Sequence, residues 1–541
     1  MRIFIFSFLA FFISSCHRID ADLIIHHAKI YTVDSNMNIA SVLVIKDGKF
    51  IAVGGDTLLN QYQAKNKLDA KGQCIYPGFM DAHCHFTGYA MDKYKLILYG
   101  CRSFNACIEK IIAYAKTNHG TWIEGRMWDQ NQWEQKEFPT KDTLDKLFPN
   151  RPVFLMRVDG HAVLCNQKAL DLAKITITST CSGGEFQQKN GKLTGILIDN
   201  ACKAVMDILP KRTQQECTND FVAAQQDCVA YGLTSVIDCS VKREIAQWLI
   251  AAQEKNKLQI RTSILLSDDK ENFDTFLHQS PLHTNQMHIL GFKIFADGSL
   301  GSRGAYMMQE YDDEPNHHGH MLKSIDSIKA IATEVFHSAY QLCIHAIGDG
   351  ANHEVLRIFS NILPPNNNRR WRIEHAQVVA PSDFHYFGEC QIIPSVQPTH
   401  AISDMAWAKD RIGAERMKSA YAYQQLLLQN NWLPLGTDFP VEGINPLHTF
   451  YAAVFRQDEH GNPQNGFQTE NALSRKEALQ GITIWAAKSA FEEDQKGSIE
   501  KGKLADFVIL PVDLMKANPN EIYNATVTST FIGGKKVFEK K

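Results

Sequence analysis

The chain has 541 residues, with 56 Lys plus Arg against 59 Asp plus Glu, a formal net charge of −3, 44% hydrophobic positions and 21% charged ones. That balance excludes a disordered charged chain, a collagen-like repeat and the usual strongly basic nucleic-acid binder. At about 150 residues per domain the length allows three or four units, or two larger ones, because an α/β barrel takes about 250 residues as one domain.

Residues 1–16 read as a lipoprotein-type signal peptide. Met1-Arg2 precede an apolar run from Ile3 to Ile13 that ends in Ser14-Ser15-Cys16. The run is shorter than the ~18 residues a membrane-spanning helix needs. Ile13-Ser14-Ser15-Cys16 resembles a bacterial lipobox, so Cys16 is the expected lipidation site. The protein is then exported and meets a membrane only through that anchor; cleavage after a small residue with plain secretion is the alternative. Of the 13 cysteines, 12 remain once Cys16 carries lipid. Cys84, Cys239 and Cys343 stand in apolar, strand-like contexts and read as buried thiols, and no C-x-x-C pair suggests a zinc ribbon or redox motif.

Residues 22–76 alternate like short strands: Asp22 to Tyr31, Ser41 to Ile45 and Lys49 to Val53, with an Asp47-Gly48 hairpin turn between the last two. The last stretch, 491–541, repeats the style in Ala505 to Leu510, Thr526 to Ile532 and Lys535 to Phe538. Both ends are expected to share one β-sandwich.

From residue 77 to 490 strand-sized apolar runs alternate with helical patterns, the signature of βα units around a parallel sheet. Eight strands are expected: Gly78 to His85, Thr234 to Cys239, Gln259 to Leu266, Gly291 to Phe295, Gln341 to His345, Trp371 to His375, Gln391 to Val396 and Leu433 to Asp438. Eight is the number that closes a (β/α)8 TIM barrel. The stretch from about 117 to 211 is too long for a connection and reads as an inserted subdomain or lid.

The chemistry gathers at the strand ends. Asp81-Ala82-His83-Cys84-His85 closes the first strand, and side chains two apart share a face, so His83 and His85 project together toward one metal. Other runs end in Lys293, His345, His375 and Asp438, and in a barrel such positions converge on one mouth. Core histidines bonded to backbone explain any one of these residues, but poorly explain the set. Gly291-Phe292-Lys293-Ile294-Phe295 puts an amine in apolar surroundings that disfavour its charged form. A neutral amine can add carbon dioxide, and the carbamate could bridge two cations about 3.5–4 Å apart; a snorkelling or ion-paired lysine is the equal alternative.

Five segments resemble the amidohydrolase superfamily, in the amidohydrolase 3 branch of YtcJ-like proteins and N-substituted formamide deformylases. They are Pro77 to His85, Lys293 to Arg303, His345-Ala346-Ile347-Gly348-Asp349, Ile373 to Gln377 and Gly436 to Pro440. The resemblance covers nearly the whole mature chain. It implies a (β/α)8 barrel plus a terminal β-sandwich and two divalent metal ions: His83 and His85 on the more buried one, His345 and His375 on the other, and carboxylated Lys293 between them. Asp438 would ligate and act as general base toward an activated water. Zinc suits this imidazole and carboxylate set best, with manganese and iron also compatible. His161, Arg303, His320 and Trp128 are the candidate substrate contacts, with ordinary packing the alternative for Trp128 and a surface salt bridge for Arg303.

The function this implies is hydrolysis of a C–N bond in a small amide, formamide or cyclic amide. A mononuclear deaminase or aminoacylase with unmodified Lys293, and a surface lipoprotein that binds ligand without turnover, are the other readings. No nucleic-acid partner is expected, and a homodimer is the base-rate expectation.

Overall fold

The computed structural model describes residues 18–541, so the signal-peptide and Cys16 expectations fall outside the described residues. Seven parallel strands form a barrel wall: β1 (Phe79–Cys84), β2 (Leu233–Val241), β3 (Arg261–Ser267), β4 (Met287–Phe295), β5 (Gln341–Ala346), β6 (Arg372–His375) and β7 (Ile393–Ser395), each paired with the next in that order. Their side chains are almost all buried, as expected of strands covered on both faces.

Seven of the eight expected strands form. The eighth, Leu433 to Asp438, is a segment bridged at a single position, Leu435 to Val396. It still closes the barrel, because Gly436 N–H donates to Val396 (3.0 Å) while Ala82 N–H donates to Leu435 (3.2 Å) and Asp438 N–H to His83 (2.8 Å). Pro434 brings no N–H to the ladder, which interrupts regular pairing there. Gly436 permits the approach to β1, since a Cβ at that position would lie 2.6 Å from the His83 nitrogen.

Two sheets account for the chain ends. One pairs Lys49–Gly54, Val42–Lys46, Ile19–His26 and Tyr62–Asp69. The other joins C-terminal strands Lys535–Glu539, Ser529–Ile532 and Phe507–Leu510 to N-terminal strands Cys74–Pro77, Lys29–Tyr31 and Ile39–Ala40. The apolar residues facing inward, among them Ile25, Ile30, Leu43, Ile75, Phe507 and Phe531, form a common core of both ends. Tyr62–Asp69 is a strand that its polar, largely exposed sequence does not announce.

Between β1 and β2 the chain builds a further six-stranded sheet, from Leu96–Ile97 through Ile123–Trp128, Val153–Arg157 and Ala162–Cys165 to Lys192–Asp199, with Gly184–Lys189 at its far edge. Its first strand lies ahead of residue 117, where the sequence texture changes. All twelve described cysteines are free, and eleven are buried. Among the described residues no helix is long and apolar enough to cross a membrane.

Candidate metal centre

β1 brings His83 and His85 to the mouth together, with ring centroids 5.5 Å apart. Across the barrel the β6 terminus places His375 4.9 Å from the His83 ring and 4.6 Å from the His345 ring at the end of β5. Asp438, on the closing segment, sets Oδ1 3.4 Å from His83 Nε2 and 3.2 Å from His85 Nε2. Donor atoms of His83, His375 and Asp438 all lie within 4.8 Å of one another. The barrel thus brings these distant residues to one place, with Lys293 buried beside them, its amine 4.6 Å from the Phe295 ring centre.

The test of whether these residues fit a cation is their polar atoms. His83 Nε2, Lys293 Nζ, His375 Nδ1 and Asp438 Oδ1 are buried and have no hydrogen-bond partner among the described residues. Buried donors and acceptors are ordinarily paired, because an unmade bond costs about 1–3 kcal/mol. The imidazole nitrogens and the carboxylate oxygen are atoms that a bound cation would satisfy, and the Lys293 amine would join them once carboxylated. Burial, reinforced by the neighbouring imidazoles, pushes His345 and His375 well below the usual histidine range, leaving the neutral form that ligates. Burial would raise Asp438, but the bond from His400 and the nearby His83 imidazole outweigh it and hold the group well below the carboxylate range. The backbone is strained at two of these positions, with φ of 74° at His375 and 61° at Asp438, values side-chain-bearing residues rarely adopt.

Three further residues complete the centre. His83 Nδ1–H donates to Glu374 Oε2 at 2.5 Å, which orients the ring and leaves Nε2 facing the mouth. Glu374 is fully buried; Arg372, 2.9 Å from its other oxygen, helps hold it at about 2 against the effect of burial. His400 reaches Asp438 Oδ2 through Nε2 (3.1 Å) and Glu442 through Nδ1 (3.3 Å). Asp199 ends the last long strand of the insertion, and its Oδ1 accepts from His161 Nδ1–H at 2.7 Å while Oδ2 lies 3.0 Å from His320 Nε2. The His161 ring in turn lies 5.1 Å from that of His345, so the insertion contributes directly to the mouth.

Glu374 lies inside the matched Ile373-Glu374-His375 segment, where a carboxylate beside a candidate ligand is the available signal. His400 follows β7 by five residues, in the first turn of the helix Pro398–Asp404 that continues from the C-terminal end of that strand, the barrel face that carries chemistry. Asp199 carries no local signal. Its environment depends on the segment after β4: a Cβ on Gly298 would lie 2.5 Å from Asp199 Oδ2, so the absence of a side chain there admits the carboxylate.

The other candidates take different places. Arg303 pairs with Asp313 (2.9 Å) and Glu314 (3.2 Å), and shares a polar cavity with Glu185, Ser302, His317 and His320. Trp128 is 2% exposed, donates its indole N–H to the Leu155 carbonyl at 2.8 Å and packs on Trp133 and Phe138, the surroundings of a core side chain.

A parallel barrel whose strand ends gather imidazoles, a carboxylate and a buried amine defines a metal-dependent hydrolase. The chain belongs to the amidohydrolase family, whose model matches residues 67–538. It is similar to the putative amidohydrolase YtcJ of Bacillus subtilis (strain 168), 29% identical over 95% of this chain and 99% of that one. It is also similar to the N-substituted formamide deformylase of Arthrobacter pascens, 25% identical over 96% of this chain and 98% of the relative. Among solved structures, an uncharacterized metal-dependent hydrolase from Pyrococcus horikoshii OT3 superposes with a TM-score of 0.76 at 27% identity, covering 92% of this chain and 99% of that one.

Proposed function

We propose that the protein hydrolyses the C–N bond of a small amide-type substrate, with N-substituted formamides the first class to try. The observation that carries this reading is the convergence of four unpartnered buried polar atoms, from His83, Lys293, His375 and Asp438, at the C-terminal ends of the barrel strands. His83, His85, His345 and His375 would hold two divalent ions, zinc suiting the donors best, and a carboxylated Lys293 would lie between them. Bound there, such ions supply a water with a pKa near neutrality and polarise a carbonyl oxygen.

The chain's own residues do the rest. Asp438, kept ionised by His400 and His83, accepts the proton released by the attacking water and returns it to the leaving nitrogen. His400, tied to Glu442, fixes the carboxylate that makes both transfers. His161 and His320, fixed on Asp199, would contact the substrate. The formamide class is drawn from the name of the Arthrobacter relative.

A second reading has one observation in its favour. Of the six residues at the mouth, His83, His375 and Asp438 are the group whose donors all lie within 4.8 Å of one another, which suits a single ion and an unmodified Lys293. The lipid anchor on Cys16 is part of the proposal for the whole chain, and Cys16→Ser should abolish fatty-acid labelling.

The test is a screen of zinc-reconstituted protein against N-substituted formamides, secondary amides, cyclic amides and esters, with Asp438→Asn alongside. Turnover of a C–N substrate that disappears in the variant and on chelation is expected. Tight ligand binding with no hydrolysis of any class would overturn the proposal in favour of a binding protein.

A further inference from the structure

At the far end of β4 from Lys293 lies a second group of metal-ligating side chains. His288 sits near the start of that strand, five residues before Lys293, or about 16 Å at ~3.3 Å per residue. His283 pairs with it as an isolated antiparallel bridge, so the two imidazoles stack with centroids 4.2 Å apart. Glu492 enters from the segment that follows the helix Ile484–Ser489, on the way to the C-terminal sandwich strands. We propose that His283, His288 and Glu492 form a second divalent-metal site, suited to zinc, on the barrel face opposite the catalytic mouth.

Three observations carry this. The donor atoms of the three residues all lie within 4.8 Å of one another. Zinc bonds of about 2.0–2.2 Å place tetrahedral donors about 3.4 Å apart, so closure needs a movement of little more than ~1 Å. His283 is exposed enough to make that movement. Next, His288 is only 7% exposed, yet its Nδ1 has no hydrogen-bond partner among the described residues.

Finally, the Glu492 carboxylate is divided. Its Oε2 takes Lys496 at 2.9 Å and the Ser263 hydroxyl at 3.1 Å, while Oε1 is turned to His283 at 3.8 Å. One oxygen is fixed by these two partners and the other is left toward the imidazoles, the division found where a ligating carboxylate is itself hydrogen-bonded. Two imidazoles and one carboxylate are a borderline donor set that favours zinc over calcium or magnesium. Lys496 adds a positive charge beside the carboxylate, which weakens the site relative to one with an undivided glutamate. An ion here ties the 490–506 segment to the barrel floor, beside the Arg261–Asp506 pair, and so has a structural rather than catalytic task.

The experiment uses the whole chain, stripped with a chelator and reloaded with zinc chloride. Zinc per chain is counted by elemental analysis after desalting, and the melting temperature is followed through the titration. His283→Asn, at a half-exposed position, should bind one zinc fewer than the parent and lose the late zinc-dependent rise in melting temperature, with hydrolytic activity unchanged. Glu492→Gln should lose the same equivalent. The same comparison in the Asp438→Asn background keeps this count separate from that of the mouth. Equal zinc content and equal melting in parent and His283→Asn would overturn the proposal, whatever the mouth binds.

Discussion

Asp199 accepts a hydrogen bond from His161 at 2.7 Å across a chain separation of 38 residues, at the point where the insertion meets the barrel mouth. Its other oxygen faces His320, and its backbone is held at φ 51°, ψ −122°, a conformation that costs about 1–3 kcal/mol for a residue with a side chain. Strain kept at a carboxylate between two histidines points to positioning. Asp199→Ala should lower kcat/KM by about 10–100-fold through misplacement of both rings, with metal content unchanged. Gly298→Ala, which drives a methyl into the same carboxylate, should do likewise, and the double variant should be no worse than the more damaging single one. Steady-state kinetics with elemental analysis check this; additive losses would show that the two residues act separately.

Glu374→Gln should weaken both metal affinity and folding. The amide keeps the shape but cannot accept from His83 and face Arg372 as a charge at once. Zinc affinity should fall about 10–100-fold, measured by chelator competition. Because Arg372 is fully buried, its loss of a charged partner should also destabilise the chain by up to about 3–5 kcal/mol in denaturant titrations.

Trp128→Ala distinguishes packing from substrate contact. With the indole buried against Trp133 and Phe138, the substitution should cost about 3–5 kcal/mol of stability in the insertion and leave KM unchanged in the fraction that stays folded. A raised KM with unchanged stability would place Trp128 on the pocket wall.

Asp506 makes stability fall in acid. Burial would raise its pKa, but the Arg261 guanidinium, 2.6 and 2.8 Å from its two oxygens, and the Gly533 N–H hold it below the ordinary carboxylate value. A depressed folded pKa contributes stability that is fully present above the unfolded value of about 3.9 and is lost as pH falls through the folded value. Denaturant midpoints between pH 6 and 3 should therefore fall more steeply below about pH 4 for the parent than for Asp506→Asn, which is weaker throughout. Parallel curves would contradict this.

The parts legible in the sequence are those whose signal is local. His83 and His85 share a strand face, and His345, His375 and Asp438 each end an apolar run, so their meeting follows once the runs are placed around a barrel. The terminal strands from Val42 to Gly54 are legible from alternation and the Asp47-Gly48 turn. Residues whose roles depend on contact at long range were not. Glu374 acts on His83 across 291 positions, and Asp199 gains its place from a glycine 99 residues further on. The eighth barrel segment looked regular because its apolar pattern conceals what Pro434 does to the ladder.

The central claim is that divalent ions sit among His83, His85, Lys293, His345, His375 and Asp438. An anomalous difference map at the zinc edge, from crystals of reconstituted protein, tests it most directly. The account predicts two peaks at the mouth with density for a carboxylated Lys293 between them, and a single peak among His83, His375 and Asp438 would select the mononuclear reading. A map with no peak at these side chains, from protein that still hydrolyses its substrate, would contradict the account.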